Sequence, residues 1–218
     1  MPGDRTEDRV EALRDVLIEL RRMESLVGDL LALARLQAAV ATPARRSFRL
    51  DHMLADVHRD ALRMASPEVE VTLGPLPEVW VSGDRDDLRR AVWNLVDNAL
   101  KYTRAGRIDL RLRAEDGKAE LTVCDTGIGI AEDHLEHVFD RFWRAPGVRG
   151  MAGSGLGLAI TRWVVQAHEG TIAVESVVGH GTTFALTLPV VQGPPKRARR
   201  RDGELLGVSR VTGSGHHS

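Results

Sequence analysis

In the segment DRDDLRRAVWNLVDNALKYT, Asn94, Asn98 and Lys101 fall at spacings of four and three, so on a helix they share one face. Asparagine is a mediocre helix former because its amide competes for the backbone, so two of them one turn apart call for a reason. An amide oxygen suits Mg²⁺, a hard cation that takes few protein ligands and completes its shell with water and phosphate. Lys101 would then address phosphate as a point charge. Further on, LTVCDTGIGI delivers Asp125 at the end of an apolar run, followed by Gly127 and Gly129, where missing side chains allow close approach of a ligand. A carboxylate there suits the exocyclic amine of a base such as adenine. FDRFWR (139–144) is aromatic and basic and leads into the glycine-rich APGVRGMAGSG, the composition of a flexible cover. GSGLGLAITRWVV then places Gly153, Gly155 and Gly157 directly before an apolar-periodic helix, where free backbone N–H groups favour phosphate. Each segment read singly also fits an ordinary turn or surface helix; their order is what carries the argument.

These segments need a scaffold, and composition allows one. The 218 residues are 43% apolar and 28% charged, the profile of a globular chain with room for one core and appended pieces. A net charge of −1 provides no field that would make nucleic acid the main partner. A single cysteine, Cys124, excludes an internal disulfide and any multi-cysteine metal site. No apolar run approaches the roughly 18 residues of a membrane span, and the charged N-terminus lacks the apolar stretch of a signal peptide, so the expected location is cytoplasmic.

Residues 5 to about 38 predict one long helix, with Val10, Leu13, Leu17, Leu20, Val27, Leu31 and Ala34 forming a stripe that asks for partner helices. Residues 39–46 read as a linker around Pro43. From 47 to 189 the pattern is mixed: strands are predicted at 69–73, 79–82, 107–113, 119–124, 171–177 and 182–188, and helices at 51–65, 84–101 and 156–168. Asp116-Gly117 marks a hairpin turn between two of the strands. Because strands and helices do not alternate strictly, an α+β layered fold is expected over a doubly wound parallel sheet. Residues 190–218 read as a disordered basic tail, with Lys196–Arg201 a solvated charge run.

In this order, and closed by a GxGTxF-like block (Gly179, Gly181, Thr182, Phe184), the segments resemble the N, G1, F and G2 boxes of sensor histidine kinases. That family belongs with the gyrase-, Hsp90- and MutL-type ATP-binding domains. MESLVGDLLALARLQ resembles the second helix of its dimerisation hairpin, which would make residues 1–38 one helix of that hairpin. The resemblance implies a two-layer α/β sandwich of Bergerat type, a mixed sheet with helices on one face, preceded by a long bundle helix. It implies ATP and Mg²⁺ as ligands, with Asn98 on the metal and Asn94 near the phosphates. Lys101 and Tyr102 match the phosphate and ribose sides, and Asp125 the adenine amine, helped by Gly127, Gly129 and Thr182. Phe139, Phe142 and Arg144 would organise a lid over roughly 139–154. Gly153, Gly155, Leu156 and Gly157 would form the phosphate loop.

Relatives that hydrolyse ATP carry glutamate at position 94 as a general base on water; Asn94 cannot accept that proton, which points to transfer onto a separate nucleophile. No H-box context precedes the helix, and His52, His58, His134, His137, His168, His216 and His217 read as surface or packing residues. The expected activity is therefore an ATP-dependent protein-histidine kinase whose acceptor sits on a partner chain or dimerisation helix, with self-association through residues 10–34 and a response regulator downstream. Two other readings stay open: a non-catalytic nucleotide-binding regulator, and an anti-sigma-type serine kinase.

Overall fold

The computed structural model describes Val16 and residues 45–145 and 154–193. Apart from Val16, the long helix expected over 5–38 lies outside the described residues, as do the middle of the glycine-rich segment with Gly153 and the basic run after residue 193. Chain order runs β1 (Arg46–Arg49), α1 (Leu50–Met64), β2 (Val69–Leu73), β3 (Trp80–Gly83), α2 (Arg85–Tyr102), β4 (Gly106–Glu115), β5 (Lys118–Asp125), α3 (Glu132–Leu135), α4 (Gly157–Ala167), β6 (Thr171–Val177) and β7 (Gly181–Pro189).

Strand alternation builds the main sheet. Ile108, Leu110 and Leu112 on β4, Leu121 and Val123 on β5, and Phe184, Leu186 and Leu188 on β7 are buried, whereas Arg111, Arg113 and Glu120 between them are exposed. One face thus packs inward and the other meets water. The five strands lie in the order β2-β4-β5-β7-β6; β2 runs parallel to β4 and every other neighbour is antiparallel. Asp116 and Gly117, at φ 50° and 74°, close the β4–β5 hairpin between the paired Glu115 and Lys118, the mirror-image turn that Asp-Gly favours.

The helices cover the apolar face, with α2 packed against both α1 and α4. Leu88, Ala91, Val92, Leu95, Val96 and Ala99 repeat at helical spacing and bury one side of α2. Asp84 caps its start, accepting from the N–H groups of Asp86 (2.9 Å) and Asp87 (3.1 Å), and Lys101 in the last turn suits the negative end of the helix dipole. At the far end of α4, buried His168 ties the two site helices together: Nε2 accepts from the Asp84 N–H (3.0 Å) and Nδ1 donates to the Val164 carbonyl (2.7 Å). A methyl group on Gly83 would lie 2.0 Å from His168 Cδ2. Gly83→Ala is therefore expected to cost about 1–3 kcal/mol through overpacking, read as a lower urea midpoint at unchanged slope.

The edges of the folded unit differ from the sequence expectation. The linker placed at 39–46 ends early, because Arg46 already opens β1, which pairs with β3 in a separate two-stranded sheet. Arg45 before it reaches Glu169 Oε1 (2.5 Å) and the Ala167 carbonyl (2.9 Å). This bond holds the Glu169 carboxyl below the usual carboxylate range. The tail placed at 190–218 begins too soon, since Val190 bridges Val81 and the Val191 N–H bonds the Trp80 carbonyl (2.9 Å). Backbone pairing to a distant strand leaves no local signature in either segment.

Candidate functional site

A cleft of about 460 Å³ opens between α2, the end of β5, α3 and the start of α4. The exposed face of α2 forms its floor through Asn94, Asp97, Asn98, Lys101 and Tyr102, so the predicted polar stripe does converge on one space. Asp125, at the end of β5 and in register with Ile108 and Thr182, closes one end together with Gly129 and Thr182. Arg144, Gly155 and Gly157 line the other side.

Asp125 is only 7% exposed. Burial pushes its carboxyl above the usual range, and the backbone N–H groups of Gly127 and Thr182 pull it partly back. Gly127 N–H lies 2.8 Å from Oδ1. An acceptor held this way, with apolar Ile128, Val178 and Phe184 beside it, suits a flat, amine-bearing ring.

At the other end, Asn94 Nδ2 donates to the Gly157 carbonyl (3.0 Å), and Thr161 Oγ1 lies 3.4 Å from the same amide nitrogen. A carbonyl can only accept, so the NH₂ of Asn94 is committed to α4. In an α-helix the first-turn N–H groups have no partner within the helix, and those of Gly157 and Leu158 stand at the cleft wall, where the helix dipole favours an anion. Lys101 is held in an ion pair with Asp97, one turn earlier on the same face.

Three predicted residues sit differently from expectation. Phe142 is 65% exposed and does not line the cleft; its contribution is backbone, its N–H bonding the Gly155 carbonyl at 2.9 Å. Leu156 is buried in the core because it precedes the apolar face of α4, and Gly127 lies beneath Asp125 and outside the cleft wall. Gly155 is required for a reason the spacing did not reveal. At φ 73°, a Cβ there would lie 2.7 Å from the carbonyl carbon of Phe142, so the aromatic segment packs backbone to backbone on the glycine loop.

Sequence reasoning missed Asp97, His134 and Trp143 among the cleft residues. Asp97 was findable, since it stands four residues before Lys101 on the same stripe. His134 and Trp143, with rings 5.5 Å apart edge to face, meet only because the four-residue α3 turns back over the cleft, and a helix that short has no periodicity to detect. Among the described residues no group of three or more His, Cys, Asp or Glu side chains could hold a metal by itself. The hard donors on the cleft floor are the amides of Asn94 and Asn98 and the Asp97 carboxylate, which is paired with Lys101; such a sparse set matches a cation that keeps its waters and leans on phosphate oxygens.

Comparison with known proteins agrees with this fold. The family described as histidine kinase-, DNA gyrase B-, and HSP90-like ATPase matches residues 83–192. The chain is 37% identical over 179 residues to the sensor histidine kinase RppB of Synechocystis, covering 80% of this chain and 39% of that protein. Among solved structures, the mycobacterial sensor histidine kinase MprB is similar at TM-score 0.59 and 35% identity, covering 67% of this chain and 97% of that one. ShkA, solved at full length in complex with AMPPNP, is similar at TM-score 0.70 and 31% identity, covering 86% of this chain and 39% of that one. The chain spans 31–50% of the length of the curated relatives it matches.

Proposed function

The chain belongs to the histidine kinase-, DNA gyrase B- and HSP90-like ATPase family, on its sensor histidine kinase branch, and from this we propose that the cleft holds ATP and passes its γ-phosphoryl group to the imidazole of a protein histidine. The observation that carries the reading is the amide at position 94, whose NH₂ is fixed on the Gly157 carbonyl at the phosphate end. An amide cannot take a proton from water, so the site aligns ATP without activating hydrolysis. Of the carboxylates lining the cleft, Asp97 is paired with Lys101 and Asp125 is at the base end.

In this reading Asp125 accepts the adenine amine, with Gly129 and Thr182 beside the ring and Tyr102 on the ribose side. The N–H groups at the start of α4, Lys101 and Arg144 receive the phosphates. Asn98, with Asn94 next to it, would hold Mg²⁺, which supplies charge neutralisation on the phosphate oxygens. The imidazole nitrogen attacks the γ-phosphorus in line, the bond to the bridging oxygen breaks, and its electron pair leaves with ADP. The imidazole N–H proton is released to solvent. Alignment and charge neutralisation suffice for such a step.

Among the described residues no helix is long and apolar enough to cross a membrane; the need for ATP places the work of the domain in the cytoplasm. Its partners on this reading are a histidine-bearing dimerisation helix and, as the next acceptor, a response regulator. Residues 10–34 would supply the self-association surface. The test is radiolabelled ATP added to the chain together with the dimerisation hairpin of a sensor kinase. The expected product is labile to acid and stable to alkali, as phosphohistidine is. An acid-stable product, or ATP binding with no transfer at all, overturns the reading.

A further inference from the structure

Thr103 ends α2, with its backbone N–H on the Ala99 carbonyl (3.0 Å). It is 3% exposed, and its Oγ1 is buried without a hydrogen-bond partner among the described residues. A buried hydroxyl left unmatched is costly, and valine would fill the same volume without that cost. Its surroundings indicate what the hydroxyl is for. A Cβ built on Gly127 would lie 2.5 Å from the Tyr102 carbonyl oxygen, 2.8 Å from Asp125 Oδ1 and 2.9 Å from Thr103 Oγ1. Three oxygens therefore converge on one point, and the absence of a side chain at Gly127 is what lets them do so. The Tyr102 carbonyl already accepts from Ile128 N–H (3.2 Å), and Asp125 Oδ1 from Gly127 N–H (2.8 Å). Thr103 is the one member of the group that can donate a further proton.

We propose that Thr103 is a positioning residue for base recognition, its hydroxyl donating toward the Asp125 carboxylate as an amine-bearing purine seats, so that the carboxylate stays charged and aimed at that amine. The inference rests on the reading that Asp125 accepts the amine. Desolvation opposes the charged form of Asp125, so a third donor has most effect where the ring excludes the remaining water. Thr103 itself touches no ligand in this scheme and acts through Asp125.

The test is calorimetric titration of the whole chain, with Mg²⁺ present, by ATP and by purine riboside triphosphate, which lacks the amine. Thr103→Val is expected to weaken ATP about tenfold and the analogue by less than about twofold, the loss of one hydrogen bond to a charged acceptor. Thr103→Ser, which keeps the hydroxyl, is expected to restore ATP binding. Equal weakening of both nucleotides, or no weakening of ATP, overturns the inference. Thermal melts establish that the variants are folded, and Thr103→Ala carries the same comparison should valine not be accommodated. Asp125→Asn serves as the separate control. If it leaves the preference for ATP over the analogue intact, the base-recognition reading fails. If it removes that preference while Thr103→Val behaves as wild type, only the role of Thr103 fails.

Discussion

Replacing Asp125 with asparagine is expected to weaken ATP binding by about tenfold or more, while leaving the empty domain at least as resistant to heat as before. The two effects have one cause. Burial raises the Asp125 carboxyl above the usual carboxylate range. A group raised in the folded state contributes stability below its unfolded value and loses that contribution as pH rises through its folded value. At neutral pH the ionised carboxylate is thus held at a cost to the empty fold, as functional groups often are. An amide removes the charge, but it can present an N–H to the adenine amine where an acceptor is needed. In the wild type, ATP affinity should fall as pH drops through the raised value of Asp125, whereas the asparagine variant should lack that step. Calorimetry at several pH values and a melting curve without nucleotide measure both parts. Unchanged ATP affinity in Asp125→Asn would remove Asp125 from the site.

The second large effect is expected at Asn98. Asn98→Ala should abolish the Mg²⁺-dependent part of ATP binding and reduce phosphoryl transfer about 10²–10³-fold, as the loss of one charge-stabilising group does elsewhere. Its side chain faces the cleft, outside the buried stripe of Leu88, Val92, Leu95 and Ala99, so the melting temperature should change little. Asn94→Ala should reduce transfer too, but with a loss of stability, because it leaves the Gly157 carbonyl and Thr161 without their amide partner. The two asparagines lie one turn apart and look alike in sequence. Titrating ATP with and without Mg²⁺, followed by urea unfolding, tests the metal role proposed for Asn98 apart from the tie that Asn94 makes between α2 and α4. Transfer that survives Asn98→Ala would rule out the assignment.

Much of this molecule is legible in its sequence, for a local reason. Side chains three and four apart on a helix, or two apart on a strand, share a face whatever lies beyond, so the apolar stripe of α2 and the alternation of β4, β5 and β7 mark elements and their buried sides directly. Asp116-Gly117 marks its turn because few other pairs adopt both positive φ angles easily. The polar stripe of Asn94, Asn98 and Lys101 belongs to the same class of signal: three groups on one face must look into one space.

Tertiary structure alone decided what that space contains. The strand order, with β2 parallel to β4 and a separate β1–β3 pair, follows from which edges meet after the chain crosses the helices, and alternation is blind to that choice. Asn94 and Gly157 stand 63 residues apart, yet their bond turns one of two similar asparagines into a tie between α2 and α4. Gly155 reads as a phosphate-loop glycine, but its φ and its contact with the Phe142 backbone explain why no other residue fits. Phe142 itself was expected at the lid; its side chain points to solvent because its backbone is what the glycine loop binds. Residue type and spacing thus determined which chemistry was available along the chain. Which of those groups met, and which were left buried with an unused proton as at Thr103, depended on contacts between segments that spacing does not encode.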